Sequence, residues 1–367
     1  MASPSTKLIP NSLAVGVFSG LLGPSLGGVQ LSGHIAWQGI GSHAKHHGQA
    51  TALVVYGQVD ESEIGATTSK CVIGKTRLGL IREVIARSWK ASVVCVWHID
   101  MLRLLPLMRT GNSRVALFLH GIEAWKRLGF WQKRLMNRVG LFLTNSAFTW
   151  QRFLEFNNQF ANREHRVVHL GCNSPIAQGE VPSSKGPIAL MIGRMLKSED
   201  YKGHRELISI WPRVLDRFHA AELWIAGDGD LRPELERQAS DLGLRDRVRF
   251  FGKISEAQKQ QLLGDCRCLA MPSRGEGFGL VYLEAMRMGK PCLVSTCDAG
   301  QEVINPPEAG LAVNPSNSAE LTDALCRLLT DDDAWNQWSH AAELRYRQGF
   351  SASHFQERLN SALFTDR

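Results

Sequence analysis

The sequence lacks the features that mark several large classes of protein. None of its apolar runs approaches the roughly 18 uninterrupted residues that span a bilayer, and Met1–Asn11 has neither the basic stretch nor the long apolar core of a secretory signal. Its eight cysteines follow no disulfide or zinc-site spacing. It contains no zinc finger, RNP-like aromatic strand or basic zipper, so nucleic acid is not an expected partner. We therefore expect a cytoplasmic globular protein.

Charge is divided unevenly along the chain. Of its 42 Lys and Arg and 35 Asp and Glu, residues 1–170 hold 19 and 8, which leaves 23 and 27 for residues 171–367. A basic half joined to a mildly acidic half indicates that the first half meets an anionic surface or substrate. A phospholipid surface and a phosphorylated acceptor both fit this pattern.

Short apolar runs alternate with helix-length amphipathic stretches in both halves. This alternation predicts two α/β domains with mostly parallel sheets covered on both faces. We predict domains at 1–171 and 188–350, a Pro-, Ser- and Gly-containing linker at 172–187 and a final helix at 351–367. Strands are predicted at Leu13–Phe18, Ala52–Tyr56, Val93–Trp97, Val115–His120, Leu141–Asn145, Val167–Leu170, Ile188–Ile192, Glu222–Ala226, Val248–Phe251, Cys268–Met271 and Pro291–Ser295.

A glycine-rich loop follows the predicted strand that ends at Met271. Gly277 and Gly279 let the backbone approach a ligand closely and adopt positive φ angles. A helix is predicted to start near Leu280, and the amides at a helix start favour a phosphate. Together with Phe278, these residues form the predicted phosphate loop.

Two glutamates stand eight positions apart in this segment. Glu276 lies inside the glycine loop, where it could face a sugar ring. Glu284 follows on the helix, in or near its first turn, where its carboxylate can accept hydrogen bonds from both hydroxyls of a ribose. A solvated loop charge and an ordinary helix-start carboxylate are the simpler interpretations of these two residues.

The segment from Glu276 to Glu284 resembles the Glu-x7-Glu region of retaining glycosyltransferases of family 4. The likeness extends from about Ile188 to Leu329 and is weak over the first half. It implies the GT-B fold, in which two Rossmann-like domains face a central cleft, with the C-terminal helix returning to the N-terminal domain. It also implies a retaining hexosyltransferase with Glu276 as a catalytic residue and with no metal or cofactor besides its sugar-nucleotide substrate.

The resemblance assigns further donor-binding residues to the second half. Arg194 and Lys202 correspond to the Arg and Lys that hold the diphosphate in the family, with Lys197 as a rival to Lys202. The chemistry agrees, because an Arg fork and a Lys point charge both bind phosphate oxygens. The loop that borders the nucleobase in the family corresponds to Gly252, Lys253 and Ile254.

The first half carries weaker signals. Gly27 and Gly28 resemble the family's glycine pair, which lets the backbone and a helix start meet the donor phosphate. His120 ends a predicted strand, where it can hydrogen-bond a sugar hydroxyl or take part in proton transfer, as a His of the family does. His98 ends another predicted strand and is a weaker rival.

An Asp-x-Asp triplet at Asp228 and Asp230 is a possible metal site. The triplet falls in a turn between a strand and a helix, so we interpret Asp230 as the N-cap of that helix instead.

The segment 125–138 combines five cations with two Trp and one Phe. Tryptophan beside long cationic side chains is suited to a lipid headgroup boundary, which predicts contact with an anionic membrane. A helix that packs its aromatic side chains inward is the alternative.

Three other functions compete with this interpretation. A dehydrogenase would also have Rossmann-like halves, but no Gly-x-Gly-x-x-Gly follows the first strand with an acid about 20 residues on. A non-hydrolysing sugar-nucleotide epimerase shares the architecture, although Glu276 to Glu284 is more similar to the transferases. An inactive sugar-binding scaffold is the third competing function. The expected donor is GDP-mannose or a UDP-hexose, and the expected acceptor is a lipid-linked or saccharide hydroxyl in envelope polysaccharide or glycolipid synthesis.

Overall fold

The computed structural model describes residues 12–19, 27–57, 70–74, 76–173 and 184–364. These residues form two compact units. One contains the described residues up to Gly171 together with the C-terminal segment from Ala352, and the other runs from Cys172 to Ser351. Most of the predicted linker, 174–183, and the last three residues of the predicted final helix lie outside the described ranges.

A parallel sheet is the centre of the N-terminal unit. Its strands are β1 (Ser12–Phe18), β2 (Thr51–Tyr56), β3 (Lys70–Gly74), β4 (Ala91–Val96), β5 (Arg114–Leu119), β6 (Leu141–Thr144) and β7 (His165–Val167). Their order is β3-β2-β1-β4-β5-β6-β7, and every neighbouring pair is parallel. The order reverses between β1 and β4, as in doubly wound nucleotide-binding folds.

Four helices of the N-terminal unit come before the C-terminal unit in the chain. They are α1 (Gly28–His46), α2 (Arg77–Ile85), α3 (Phe130–Met136) and α4 (Ala147–Asn157), with 3-10 helices at Ile99–Leu107 and Asn158–Phe160. Side-chain caps fix two of the helix starts, because Thr76 accepts a hydrogen bond from the Gly79 amide and Ser146 accepts one from the Thr149 amide.

The C-terminal unit repeats the same arrangement. Its strands are β8 (Ile188–Ile192), β9 (Glu222–Ala226), β10 (Val248–Gly252), β11 (Cys268–Ala270), β12 (Cys292–Ser295) and β13 (Gly310–Val313). They form a parallel sheet in the order β10-β9-β8-β11-β12-β13. The strand order reverses between β8 and β11. Open α/β sheets bind their ligands next to such a reversal point.

Seven helices cover this second sheet within the described residues. They are α5 (His204–Arg217), α6 (Arg232–Asp241), α7 (Glu256–Asp265), α8 (Leu280–Met286), α9 (Gly300–Ile304), α10 (Ser318–Thr330) and α11 (Asp332–Gly349), and a 3-10 helix spans Lys197–Lys202. Two parallel Rossmann-like sheets confirm the predicted fold class.

The last helix, α12 (Ala352–Phe364), packs on the N-terminal unit, as predicted. Its Gln356 side chain donates to the carbonyl of Ile35 at 3.0 Å, and Asn360 donates to the carbonyl of Gly39 at 3.1 Å. Gly39 permits this close contact, since a Cβ there would lie 2.8 Å from the Cβ of Gln356. Among the described residues, no helix is both long and apolar enough to cross a membrane.

Candidate active site

The predicted donor-binding residues of the C-terminal unit lie at or beyond the carboxyl ends of three strands. Arg194 and Lys202 follow β8, and Glu276 follows β11. The predicted base loop, Gly252–Ile254, begins at the end of β10. Parallel strands end at one edge of the sheet, and β8 and β11 are neighbours at the reversal point. The loop that carries the two cations therefore lies beside the loop that carries Glu276.

One carboxylate organises the two predicted phosphate-binding cations. Glu199, in the 3-10 helix, pairs through one oxygen with Arg194 and through the other with the Lys202 ammonium at 3.0 Å. The Lys202 side chain is only 13% exposed, whereas that of Arg194 is 68% exposed. Lys197, the rival to Lys202, pairs with Glu234 at 2.7 Å instead. The geometry thus groups Arg194 with Lys202 and gives Lys197 a different partner.

Backbone contacts join the loop that carries Arg194 and Lys202, the cation loop, to the glycine loop. The Arg274 amide donates to the carbonyl of Tyr201 at 2.8 Å. Gly275 lies against the Tyr201 ring, where a Cβ would be 2.9 Å from a ring carbon. Gly203, with φ +94°, approaches the carbonyl of Pro272 so closely that a Cβ would lie 2.7 Å from its oxygen. The two loops therefore form one packed surface.

A third loop supports the cation loop from the other side. The Gly193 amide donates to the carbonyl of Ala226 at 2.9 Å, and the Met195 amide donates to that of Asp228 at 3.0 Å. Gly227 has φ +139°, and a Cβ there would lie 1.8 Å from the carbonyl oxygen of Gly193. Only glycine fits at this position, since both the backbone angle and the contact exclude a side chain.

Glu276 occupies the centre of the glycine loop. Its half-buried carboxylate accepts hydrogen bonds from the amides of Gly277 and Phe278. Its own carbonyl accepts one from Ala299 at 3.0 Å, which ties the loop to the one after β12. Burial raises the pKa of Glu276, and the nearby Lys202 partly offsets this effect. A donor phosphate at the predicted phosphate loop would compete with this carboxylate for the two amides.

The helix after the glycine loop starts as predicted. Gly279 is its N-cap with φ +83°, and Leu280 is its first residue. Glu284 is the fifth residue of this seven-residue helix, which places it in the second turn. The side chain of Glu284 is 11% exposed, and its Oε1 lies 2.7 Å from the Nζ of Lys259 on α7. The simpler interpretation of Glu284, a first-turn carboxylate that the helix dipole favours, does not fit this position.

The predicted base loop begins at the last residue of β10. Gly252 has φ +66°, and its carbonyl accepts a hydrogen bond from the Gly227 amide at 2.9 Å. Lys253 is exposed and Ile254 is half-buried. Ser255 then caps α7 in a capping box with Gln258. The loop is thus held at both ends.

The Asp-x-Asp triplet is used within the fold. An oxygen of Asp230 accepts the Lys197 amide at 2.8 Å, and an oxygen of Asp228 accepts the Gly229 amide at 2.9 Å. The N-cap of α6 is Leu231, so the prediction that Asp230 caps this helix was wrong. Asp230 instead fixes the turn that begins the 3-10 helix. No cluster of three or more His, Cys, Asp or Glu suited to a metal occurs in the described ranges.

Trp97 connects the predicted site residues of the N-terminal unit. Gly27 is the N-cap of α1 and Gly28 is its first residue, at the carboxyl edge of the sheet. The indole of Trp97 donates to the carbonyl of Val29 at 3.0 Å, and the carbonyl of Trp97 accepts the Nε2–H of His120 at 2.6 Å. One buried residue, Trp97, therefore links His120, through its carbonyl, to the start of α1 beside the glycine pair, through its side chain.

His120 is held in one tautomer. Because its Nε2 donates to a carbonyl, its Nδ1 is the acceptor in the neutral ring. Burial lowers the pKa of His120 to about 4, against the raising effect of Glu123. His120 is therefore neutral at pH 7. Its rival His98 is the N-cap of the 3-10 helix and accepts the Asp100 amide at 3.2 Å.

Sequence reasoning missed Trp97, Glu199 and Lys259. Trp97 lies at the carboxyl edge like His120, and its position at the end of the predicted strand Val93–Trp97 was the available signal. Glu199 stands between the two cations in sequence, which was a signal for an ion pair. Lys259 had no signal in the sequence, since it is 25 residues from Glu284.

The contact at Gly227 gives a first prediction. Gly227→Ala is expected to lower the free energy of unfolding by about 3 kcal/mol or more, because it combines backbone strain with a clash against Gly193. Gly243→Ala is the matched control: Gly243 has φ +71°, but apart from its two chain neighbours no residue has an atom within 4 Å of its Cβ position. The control is expected to lose about 1–2 kcal/mol. Equal losses in urea denaturation would contradict the role of the clash.

A buried histidine on α5 gives a pH prediction. His204 is fully buried, neither ring nitrogen has a partner among the described residues, and burial lowers its pKa to about 4. This value is below the unfolded one, so stability is complete above about pH 6.5 and falls towards pH 4 by up to ~1.4 kcal/mol per pH unit. In His204→Met, we expect the free energy of unfolding, measured by urea denaturation, to change less steeply with pH, by up to ~1.4 kcal/mol per pH unit. The exposed His219→Gln is the control, and an unchanged slope in His204→Met would contradict the prediction.

Comparison with known proteins gives a family match over most of the C-terminal unit. Residues 186–331 match the family Glycosyl transferases group 1. The chain is 36% identical over 203 residues to a phosphatidyl-myo-inositol mannosyltransferase of Mycobacterium leprae, across 55% of this chain and 52% of that protein. It is 30% identical over 183 residues to an alpha-D-kanosaminyltransferase of Streptomyces kanamyceticus, across 47% of each chain. The chain spans about half the length of these curated relatives.

Structural similarity extends over nearly the whole chain. The structure of HepE from Anabaena in complex with UDP and glucose matches with a TM-score of 0.69 at 18% identity, across 97% of this chain and 100% of that one. At this identity the match establishes the fold, and it confirms the expected GT-B class. The family match over the C-terminal unit and this fold confirm the resemblance of the chain to the group 1 glycosyltransferases of family 4.

Proposed function

We propose that the protein is a retaining hexosyltransferase that uses a nucleoside diphosphate sugar. The observation that carries the proposal is the joint surface of the cation loop and the glycine loop. There Arg194 and Lys202 share the Glu199 carboxylate, and Glu276 stands on the adjoining loop. Paired cations beside a carboxylate are suited to a sugar diphosphate, because its phosphates need positive charge and its sugar hydroxyls need acceptors.

The proposed catalysis is electrostatic. Negative charge grows on the leaving diphosphate as the anomeric bond breaks, and Arg194 and Lys202 stabilise it. Glu276 orients the transferred sugar, and Glu284 accepts hydrogen bonds from the ribose. We assign the donor phosphate to the backbone at Gly27 and Gly28, and a sugar hydroxyl to the Nδ1 of His120. None of these roles requires a bound metal.

The base loop and the phosphate loop complete the proposed donor site. Gly252, Lys253 and Ile254 would contact the nucleobase through backbone groups. Gly277, Phe278, Gly279 and Leu280 would border the diphosphate, with the first two amides shared with Glu276.

The names of the relatives are consistent with the expected substrates. HepE was solved with UDP and glucose, and the Mycobacterium leprae relative is named a phosphatidyl-myo-inositol mannosyltransferase. We therefore propose a UDP-hexose or GDP-mannose as the donor. The proposed acceptor is a hydroxyl of a lipid-linked or saccharide substrate in envelope polysaccharide or glycolipid synthesis. An epimerase and an inactive sugar-binding scaffold are the competing functions.

Nucleotide binding and turnover test the proposal together. UDP, GDP or ADP at about 100 times its Kd is expected to stabilise the protein by roughly 2.7 kcal/mol, visible as a thermal shift. The shift is expected to weaken in Glu284→Ala, while Glu276→Gln keeps it and loses about 100-fold or more in transfer rate.

Each competing outcome has a distinct readout. Donor isomerisation without transfer to any acceptor would favour the epimerase. Binding without turnover in the wild type would favour the scaffold, and no shift with any of the three nucleotides would overturn the proposed donor site.

A second part of the proposal concerns the segment 125–138. Phe130 and Trp131, at the start of α3, are 72% and 74% exposed, so these aromatic side chains do not pack inward. Trp125 differs, because it is half-buried and meets Phe148 edge to face at 5.5 Å. The chain holds no acidic residue from Ala124 to Leu154. Exposed aromatic rings among cations are suited to the anionic inner face of a membrane, where we propose the enzyme acts peripherally.

Liposome cosedimentation tests this surface. The wild type is expected to pellet with vesicles that contain phosphatidylglycerol and to be released by salt, because the attraction combines apolar burial with charge. Phe130→Ser/Trp131→Ser is expected to bind at least about tenfold more weakly, since each ring contributes ~1.5–3 kcal/mol on burial. Phe156→Ser, which changes a 42% exposed ring outside the segment, is the control. Equal binding to neutral and anionic vesicles would overturn this part.

A further inference from the structure

Lys259 holds the carboxylate that is proposed to bind the ribose. Its Nζ lies 2.7 Å from Oε1 of Glu284 and 2.8 Å from Oε2 of Glu256. The side chains of Lys259 and Glu284 are 14% and 11% exposed, whereas that of Glu256 is 78% exposed. The Lys259–Glu284 contact is therefore a buried ion pair between two helices, with Glu256 at its solvent end.

The position of Lys259 follows from the base loop. The capping box of Ser255 and Gln258 starts α7 directly after Gly252–Ile254, and Lys259 is the fourth residue of that helix. Its side chain reaches α8, which begins where the glycine loop ends. One ion pair thus joins the helix that follows the base loop to the helix that carries Glu284.

The ion pair with Lys259 offsets the cost of burying the Glu284 carboxylate. A carboxylate that leaves water is costly unless a cation compensates it. Burial lowers the pKa of Lys259, but the attraction of Glu284 and Glu256 outweighs this effect and raises it overall, so the lysine carries its charge at neutral pH. The Lys259 ammonium donates to Oε1 of Glu284. Glu284 is therefore paired with a cation and oriented through its Oε1.

We propose that Lys259 is a positioning residue for nucleotide recognition, which fixes the Glu284 carboxylate so that it accepts hydrogen bonds from the ribose hydroxyls. This inference rests on the proposed donor site. Lys259 touches no part of the nucleotide in this role and acts only through Glu284. Its effect on affinity must therefore disappear when the ribose hydroxyls are removed.

Calorimetric titration of modified nucleotides tests this dependence. UDP and GDP, each with its 2′,3′-dideoxy form, are titrated into the wild type, Lys259→Met and Lys259→Arg. Hydrogen bonds to charged groups change affinity by roughly tenfold to a hundredfold, so Lys259→Met is expected to lose that much for the normal nucleotide. It is expected to change less than about threefold for the dideoxy form, since interactions made by one unit are not additive. Lys259→Arg is expected to restore most of the loss.

A second ion pair of the same unit supplies the control. Lys185 pairs with Asp265, the last residue of α7, at 2.9 Å, and its side chain is 64% exposed. Lys185→Met is expected to leave all affinities unchanged. Lys259→Gln repeats the comparison if circular dichroism shows that Lys259→Met is unfolded.

The outcomes separate this inference from the proposed function. Equal losses for the normal and dideoxy nucleotides would overturn the positioning role and leave the donor site intact, because Lys259 would then stabilise the unit as a whole. A wild type that binds UDP and GDP as weakly as their dideoxy forms would overturn the ribose contact of Glu284. No binding of any nucleotide by the wild type would overturn the proposed function itself, and this inference with it.

Discussion

The parallel pairing of β8 with β9 on one side and β11 on the other determines where the chemistry of the C-terminal unit lies. It brings the ends of three strands together, and the loops that leave them must share a narrow space. Gly227 meets the carbonyl of Gly193, and Gly203 meets that of Pro272, at distances that leave no room for a Cβ. The cation loop is thus fixed by backbone contacts, and its charged side chains are arranged before any ligand binds.

Each candidate carboxylate in this unit has a different electrostatic environment. Glu199 faces two cations and Glu284 faces one, so both are compensated. Glu276 is held by two backbone amides and has its pKa raised by burial. An anionic ligand at Arg194 and Lys202 would compete with Glu199, which holds these cations in place at the cost of sharing their charge. Preorganisation of this kind favours a ligand with more negative charge than one carboxylate, such as a diphosphate.

The sequence predicted the C-terminal unit more accurately than the N-terminal one, for physical reasons. Strands such as Ile188–Ile192 and Glu222–Ala226 are buried runs bounded by loop residues, and their bounds agree with the structure. β13 was missed because it begins at Gly310, whose φ of +139° reflects close contact with Cys292 rather than strand propensity. In the N-terminal unit, β3 was missed, and β7 begins two residues before the predicted Val167.

The residues of the candidate site also differ in how well the sequence predicts them. Residues on one loop, such as Glu276 with its glycines, are adjacent in sequence and could be recognised as a motif. Lys259 and Trp97 act through contacts between different elements, and Trp97 reaches Val29 across 68 positions. Such contacts depend on strand order, which local patterns do not encode. Asp230 shows the opposite error: its sequence context fits a helix cap, but the tertiary contact with Lys197 determines its role.

The tautomer of His120 limits how protons can move in the proposed reaction. Its Nε2–H is committed to the carbonyl of Trp97, and a pKa of about 4 keeps the ring neutral near pH 7. A neutral ring of this tautomer accepts a hydrogen bond at Nδ1 but has no proton there to give. His120 can therefore orient a sugar hydroxyl and cannot serve as the acid that protonates a leaving group. In the proposed donor site, a diphosphate bound by Arg194 and Lys202 would need no such acid, because its charge would be stabilised where it forms. The departing phosphate would then be the base that takes the proton of the acceptor hydroxyl.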